Sequence, residues 1–293
     1  MRIGLGAPVS GAWATPENLA RFAARAEELG YDSLWTFQRL LVGADDRVDT
    51  VYQSVLDPML ALSYAAAHTS RIRLGVALVN MPFVPPVLLA KQAATLDVLS
   101  GGRLDLGLGS GWYPVEFAAT GADRARRGAR AEEYLRVLRT FWTDEVASFA
   151  GEFYTVPPSR MDPRPVQPGG PPILLGGSAR AALERAGRLA AGWMSRSAVD
   201  LDRIGEEIAI VRAAAPDPDA VRVVVRGVVS TDGSDRRLSG SYDKIRADAA
   251  WLGEQGVTEL YYDLNWSEDI GNPAVSVESA TDRASEIIEA LAP

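Results

Sequence analysis

The sequence has no cysteine among its 293 residues and only one histidine, His68. Without thiols the chain cannot form disulfides, thiolate nucleophiles or zinc–thiolate sites. One histidine is also too few for a histidine metal cluster, so we expect no metal. Positive charge is scarce, since 30 lysines and arginines face 38 acidic residues, a formal net charge of −8. Nucleic acids and anionic membranes bind basic surfaces, so we expect neither as a partner.

Long apolar runs are missing as well. No segment approaches the ~20 apolar residues that a membrane span requires. The first residues, MRIGLGAPVSG, lack the basic start and extended apolar stretch of a secretory signal. We therefore expect a cytoplasmic protein. Its contents of 47% hydrophobic and 23% charged residues are typical of a globular domain.

Short apolar segments alternate with helical patterns along the whole chain. The first helix has a typical start, in which Thr15 precedes Pro16. Helices are predicted to begin near residues 15, 57, 85, 126, 178, 201, 242 and 276. Strands are predicted at residues 2–8, 32–37, 71–79, 103–109, 173–175, 192–195, 221–229 and 259–264.

Eight such units predict parallel strands joined by right-handed crossovers. We interpret residues 1–293 as one α/β domain, a (β/α)8 TIM barrel with insertions after strands 2, 4 and 7. An open, doubly wound sheet is the alternative. A closed barrel places its active site at the carboxyl ends of the strands, so the residues that follow each strand carry the functional information.

The fifth strand runs into Gly176, Gly177 and Ser178 and then into a helix. Glycines allow a phosphate to approach the backbone, and the free N–H groups of the helix attract the anion. Ser178 supplies either a hydroxyl donor or an N-cap. A tight turn that needs positive φ explains the same glycines, and the two interpretations remain open.

The third and fourth strands also end in unusual residues. The third passes through small residues to Asn80, which indicates close packing against its backbone or ordinary barrel filling. The fourth ends with alternate glycines, then Ser110, Gly111 and Trp112. These form either a wall for a planar ring or a bulge at the barrel rim. They are not a dinucleotide fingerprint, because the third glycine of that motif is missing.

Polar residues after the second strand complete the set of candidates. Gln38 and Arg39 begin the irregular stretch 38–54, and Arg39 either neutralises an anion or is a solvated loop residue. Arginines near residues 125–139 are explained mainly by salt bridges along a helix. His68 lies at the wrong end of the barrel for catalysis. Candidate proton donors are Tyr52, Tyr113 and Glu116.

Three segments resemble one family over essentially the whole chain. They are AKQAATLDVLSGGR at residues 90–103, GYDSLW at residues 30–35 and LLGG at residues 174–177. The sequence is similar to the luciferase-like monooxygenases, most of all to the actinobacterial branch that uses coenzyme F420. The resemblance implies a deazaflavin held at the carboxyl-terminal mouth of the barrel, a small-molecule substrate and a homodimer.

The resemblance also implies a set of cofactor contacts. A non-proline cis peptide between Ala77 and Leu78 is expected to bulge against the ring. Contacts after the fourth strand match Ser110 and Gly111, and the phosphate turn matches Gly176 and Gly177. The complete predicted cofactor site is Gln38, Ala77, Leu78, Asn80, Ser110, Gly111, Gly176, Gly177 and Ser178.

Two departures from the family limit the reaction. The related sugar-phosphate dehydrogenases carry Asp-His where this chain has Gln38 and Arg39, and a glutamate where it has Trp112. That acid–base pair is missing, so we do not assign their reaction. Arg39, Trp112 and Tyr113 are the candidate catalytic residues.

The leading hypothesis is a coenzyme F420-dependent oxidoreductase that moves hydride to or from a carbonyl or an activated double bond. An FMN-dependent monooxygenase of the same fold is the first alternative. A non-catalytic barrel that binds the cofactor or serves as a partner subunit is an alternative from another class.

Overall fold

The computed structural model describes residues 1–231 and 233–293. Eight parallel strands close into a barrel, which confirms the predicted fold. The barrel strands are β1 (Arg2–Gly6), β2 (Ser33–Thr36), β3 (Arg73–Asn80), β4 (Leu104–Gly109), β7 (Ile173–Gly176), β8 (Gly192–Met194), β9 (Arg222–Val228) and β10 (Glu259–Asp263). Neighbouring strands follow this order around the barrel, and β10 pairs with β1 to close it.

Helices surround the barrel. They are α1 (Pro16–Glu28), α2 (Pro58–Ala67), α3 (Pro86–Leu99), α4 (Pro114–Thr120), α5 (Arg127–Thr143), α6 (Arg180–Leu189), α7 (Ile204–Ala214), α8 (Tyr242–Glu254) and α9 (Val277–Ala290). The side chain of Thr15 accepts a hydrogen bond from the amide of Asn18 at 3.1 Å, so the predicted cap of α1 is present. Asp57 caps α2 in the same way.

Apart from short 3-10 helices, the sequence prediction lacked one α-helix and two strands, all between β4 and β7. One is the short helix α4. The others are β5 (Ala147–Ala150) and β6 (Thr155–Ser159), which form an antiparallel hairpin inside the predicted insertion. The hairpin was missed because both strands are short and β6 contains prolines, which normally argue against a strand. The prediction that α6 begins at Ser178 was also wrong, since the helix begins at Arg180.

A charged network closes the amino-terminal end of the barrel. Asp105 is fully buried and lies 2.7 Å from Nε of Arg73 and 2.6 Å from Nη1 of Arg222. Glu259 is equally buried and pairs with Arg2 at 2.7 Å and with Arg222 at 3.2 Å. With this end filled by ion pairs, a ligand has room only at the opposite end.

Large side chains fill the middle of the barrel and explain the small residues beside them. Trp35 stacks on Tyr261 with ring centroids 5.4 Å apart. A Cβ on Gly75 would lie 2.2 Å from the Trp35 ring, so only glycine fits there. The small residues of β3 therefore serve interior packing at this point, and the close partner is the Trp35 indole.

No helix in the described ranges is long and apolar enough to cross a membrane. Nor do histidine, aspartate and glutamate side chains gather in groups of three that would suit a metal ion, as far as residues 1–231 and 233–293 are concerned.

Candidate functional site

A cavity of about 930 Å³ opens at the carboxyl ends of the strands. This volume lies in the range of about 300–1,000 Å³ typical of cofactor and small-molecule sites. We call it the cofactor cavity. It brings together seven of the predicted cofactor residues, which are Leu78, Asn80, Ser110, Gly111, Gly176, Gly177 and Ser178.

The floor of the cofactor cavity is formed by the end of β3. The peptide bond between Ala77 and Leu78 is cis, as the resemblance implies. A Cβ added to Gly176 would lie 2.3 Å from the Leu78 side chain, and one added to Gly109 would lie 3.0 Å away. These glycines therefore make room for Leu78, which in turn lines the cavity. The alternating glycines of β4 accommodate this side chain.

Hydrogen bonds connect the second, third and fourth strand ends. Oε1 of Gln38 accepts from the backbone amide of Asn80 at 2.9 Å and from its side-chain nitrogen at 3.2 Å. Oδ1 of Asn80 accepts from the amide of Gly111 at 3.0 Å. Gln38 does not line the cavity itself. It holds Asn80, which does.

The glycine turn after β7 faces the cofactor cavity. Gly177 has φ of +137°, and a Cβ there would lie 2.7 Å from that of Ala182. Both the turn and the close approach to α6 therefore require glycine. The N-cap of α6 is Ala179, with no side-chain hydrogen bond, so Ser178 is not the cap. The uncapped N–H groups and the Ser178 hydroxyl are suited to an anion.

Arginines dominate the polar lining of the cavity, although the chain as a whole is acidic. Five of them line it, against a single acidic residue, Asp49, among the described residues. They are Arg124, Arg126, Arg127, Arg185 and Arg196. Salt bridges along a helix account for these arginines only in part, because Arg124 precedes α5 and Arg196 follows β8. The run of arginines between α4 and the start of α5 was the signal in the sequence.

Arg39 is buried, and so it is not a solvated loop residue. Its guanidinium carbon lies 4.4 Å from the ring centroid of Tyr52, 4.9 Å from that of Trp112 and 5.0 Å from that of Tyr113. Nη1 lies 2.9 Å from Oε2 of Glu116, an ion-pair contact without the alignment of a hydrogen bond. Arg39 thus joins the loop after β2 to the segment after β4.

Two of the candidate proton donors are occupied by this loop. The second carboxylate oxygen of Glu116 accepts from the amide of Leu40 at 2.8 Å. The hydroxyl of Tyr113 accepts from the amide of Gly43 at 2.8 Å and donates to Asp46, and that bond raises the pKa of the phenol. Tyr52 is the one of the three that lines the cofactor cavity. Trp112 also lines it and is 57% exposed.

A further residue was missed in the sequence. Arg226 lies on the inner face of β9, with Nη2 donating to the carbonyl of Ala77 at 2.7 Å and Nε to the Tyr261 hydroxyl at 2.5 Å. It therefore supports the floor of the cavity from below. The signal was an arginine inside an otherwise β-branched strand, because a buried charge usually has a specific role.

The model of the luciferase-like monooxygenase family matches residues 2–283, and the chain belongs to that family. An uncharacterised protein of Mycobacterium tuberculosis (strain ATCC 25618 / H37Rv) is 38% identical over 167 residues, 57% of this chain and 57% of the relative. The match thus spans little more than half the length of that relative. The FMNH(2)-dependent dimethylsulfone monooxygenase of Pseudomonas putida is 32% identical and aligns over 78% of this chain and 62% of the enzyme.

Solved structures share the fold at low sequence identity. The monooxygenase RslO1 from Streptomyces bottropensis superposes with a TM-score of 0.79 at 23% identity, covering 99% of this chain and 98% of that one. An F420-dependent secondary alcohol dehydrogenase in complex with an F420-acetone adduct gives 0.75 at 17% identity and covers 99% of both chains. Family and fold therefore define an oxidoreductase barrel in which both deazaflavin and flavin enzymes occur.

Proposed function

We propose that the protein is a coenzyme F420-dependent oxidoreductase. The observation that carries this proposal is the charge of the cofactor cavity. An uncapped helix end and five arginines line its rim, whereas Leu78, Tyr52 and Trp112 form its apolar part. A cofactor with a flat ring and a strongly anionic side chain matches both parts.

The number of arginines favours the deazaflavin over FMN. FMN carries one phosphate, which the glycine turn and the first turn of α6 can hold. Coenzyme F420 adds carboxylates beyond its phosphate. Arg126 and Arg185 are paired with Glu152 and Glu132. The other three, Arg124, Arg127 and Arg196, have no ion-pair partner among the described residues, which leaves three charges for those carboxylates. Binding of an anionic cofactor by these arginines would also explain why a chain with a net charge of −8 has a basic rim around this cavity.

The residues around the cavity would have distinct roles in binding the cofactor, excluding water and donating a proton. When bound, the deazaflavin supplies two-electron hydride chemistry. Leu78 supports the ring, Gly177 and Ser178 hold the phosphate, and Trp112 covers the site against water. Arg39 and Glu116 keep the covering loop in place. Tyr52 is the remaining proton donor, since the Tyr113 and Glu116 side chains are held by the loop.

An FMN-dependent monooxygenase is the second candidate, and a specific observation favours it. A relative that is 32% identical is an FMNH(2)-dependent dimethylsulfone monooxygenase. The same cavity has room for FMN, and its glycine turn suits either phosphate.

A fluorescence titration with coenzyme F420 and, separately, with FMN distinguishes the two. We expect micromolar binding of F420 and at least tenfold weaker binding of FMN. Arg196→Gln should weaken F420 binding about tenfold, as loss of one charged contact worth ~1.4 kcal/mol predicts. Arg188→Gln is the matched control, because Arg188 is exposed in the last turn of α6 and does not line the cavity. Preference for FMN would establish the monooxygenase instead, and binding of neither would overturn the redox assignment.

We also propose a homodimer formed by α2 and α3. These neighbouring helices expose large apolar side chains, namely Leu60, Tyr64, Val87, Leu88, Val98 and Leu99. An apolar surface spanning two adjacent helices is typical of an isologous contact with a second copy of the chain. Light scattering after size exclusion should give twice the mass of 31.4 kDa. Leu60→Asp, at a side chain that is 73% exposed, should yield monomers.

A further inference from the structure

A second cavity of about 300 Å³ lies next to the cofactor cavity, above the ends of β8 and β9. We call it the β9 cavity. Its walls are residues 197–202 after β8, Arg226 and Val228 of β9, and Arg236, Arg237 and Ser239 after β9. Ser197 and Ala198 line both cavities. A molecule in the β9 cavity would therefore border on the cofactor.

Arg226 presents an unused donor to the β9 cavity. Its side chain is only 8% exposed, and Nε and Nη2 are bonded to Tyr261 and to the carbonyl of Ala77. The third nitrogen, Nη1, has no hydrogen-bond partner anywhere in the described ranges. Arg237, by contrast, is paired with Asp202 at 2.7 Å and with Asp248 at 2.9 Å.

Arg226 is surrounded by aromatic rings and has little acidic compensation. Its guanidinium carbon lies 5.2 Å from the ring centroid of Phe37, 5.7 Å from that of Tyr261 and 4.6 Å from that of Trp266. Asp263 is its sole acidic contact among the described residues, 3.4 Å from Nε. Oδ1 of Asp263 accepts two hydrogen bonds from Asn265, and burial raises the pKa of the carboxyl. Arg222, four residues earlier on the same strand, bonds instead to both carboxylate oxygens of Asp105 and to Glu259. A buried guanidinium with one weak counterion is suited to an incoming anion.

We propose that the β9 cavity holds the carboxylate of the substrate, bound by Nη1 of Arg226. This inference rests on the proposed function and names its substrate class. The cavity has polar walls, which include Asp200 and Asp202, and an apolar wall of Ala198, Val199, Leu201 and Val228. The substrate is therefore a small organic carboxylate whose apolar body packs against that apolar wall. Its carbonyl or conjugated double bond lies toward Ser197 and Ala198, at the border with the cofactor cavity.

The reaction balances with the cofactor already proposed. A reduced deazaflavin in the cofactor cavity would supply the hydride to the carbonyl carbon and would itself be oxidised by two electrons. The π electrons of the carbonyl move to its oxygen, which takes a proton from the Tyr52 hydroxyl, and water reprotonates Tyr52. The carboxylate on Arg226 does not change. It fixes which end of the substrate faces the ring.

Calorimetry with two matched probes tests the inference without the cofactor. Benzoate carries the carboxylate, and benzamide is its neutral counterpart of the same shape. We expect benzoate to bind the wild-type protein at least tenfold more tightly than benzamide, and Arg226→Gln to abolish that preference. Equal binding of the two probes to the wild-type protein would overturn the proposal. This comparison does not depend on whether the Arg226→Gln variant folds.

Filling the cavity locates the binding. Val199→Trp places an indole in the β9 cavity and should abolish benzoate binding, whereas Ala213→Trp, exposed on α7, should not. Benzoate binding that survives Val199→Trp would belong to the arginines of the cofactor cavity and would refute the site. Coenzyme F420 binding without benzoate binding would contradict this inference alone. Benzoate binding without F420 binding would contradict the proposed function alone.

Discussion

The ion pair between Arg39 and Glu116 provides a direct test of how the covering loop is held. Both side chains are almost fully buried, 5% and 2% exposed, and the loop after β2 depends on them. Removing one partner of such a pair leaves a buried charge without compensation, which costs about 3–5 kcal/mol. We therefore expect Arg39→Met to lower the free energy of unfolding by that amount.

Glu116→Met should cost less than Arg39→Met. The Arg39 guanidinium remains in contact with the rings of Tyr52, Trp112 and Tyr113, and each such contact retains about 0.5–2 kcal/mol. The double variant removes both charges, so its loss should be smaller than the sum of the two single losses by about 1–3 kcal/mol.

Urea unfolding followed by tryptophan fluorescence measures all three values, because Trp112 lies against Arg39. The exposed pair of Arg180 and Glu184 is the control, and Arg180→Met should change the stability by less than ~0.5 kcal/mol. Losses that add to within ~0.5 kcal/mol in the double variant would show that the two side chains do not act as a pair.

Three further predictions concern the barrel, the glycine turn and the proton donor. Burial raises the pKa of Asp105, but its bonds to Arg73 and Arg222 outweigh burial and hold that pKa below the ordinary value. The ionised Asp105 therefore stabilises the fold above pH ~4, and this stabilisation is lost as the pH falls. The midpoint of urea unfolding should drop between about pH 5 and 3, and it should drop less steeply in the Asp105→Asn variant. Gly177→Ala should cost about 1–3 kcal/mol in urea unfolding and weaken F420 binding, since φ is +137°; an unchanged affinity would exclude the turn from the site. Tyr52→Phe should lower turnover about 10²–10⁴-fold with F420 affinity unchanged, and full activity would remove Tyr52 as the donor.

Periodicity alone predicted the barrel, and it did so for a physical reason. Each strand and helix buries one face, so each segment of the sequence carries apolar residues at the spacing of its own secondary structure. Predictions from local turn and cap residues were equally successful, as for the N-cap at Thr15 and the positive φ at Gly177. Sequence reasoning failed between β4 and β7, because the two strands of the hairpin are short and β6 contains prolines.

The glycines show how one local signal can have several tertiary causes. In the sequence Gly75, Gly109 and Gly176 all indicated a close neighbour. Only the fold shows that the neighbour of Gly75 is Trp35, and that Gly109 and Gly176 face Leu78. A glycine in the sequence indicates that a neighbouring group needs space at that position. The side chain that occupies the space comes from another strand, so the sequence around the glycine does not identify it.

Sequence by itself determined the family and the barrel, and it pointed to seven of the residues that line the cofactor cavity, since these depend on local patterns and on motifs at strand ends. Only the tertiary structure decided the roles of the charged residues. Arg39 finds Glu116 across 77 positions of chain, and Arg226 reaches the carbonyl of Ala77 across 149. Whether an arginine is solvated, paired or left with a free donor depends on partners that are distant in sequence, and no local pattern records them.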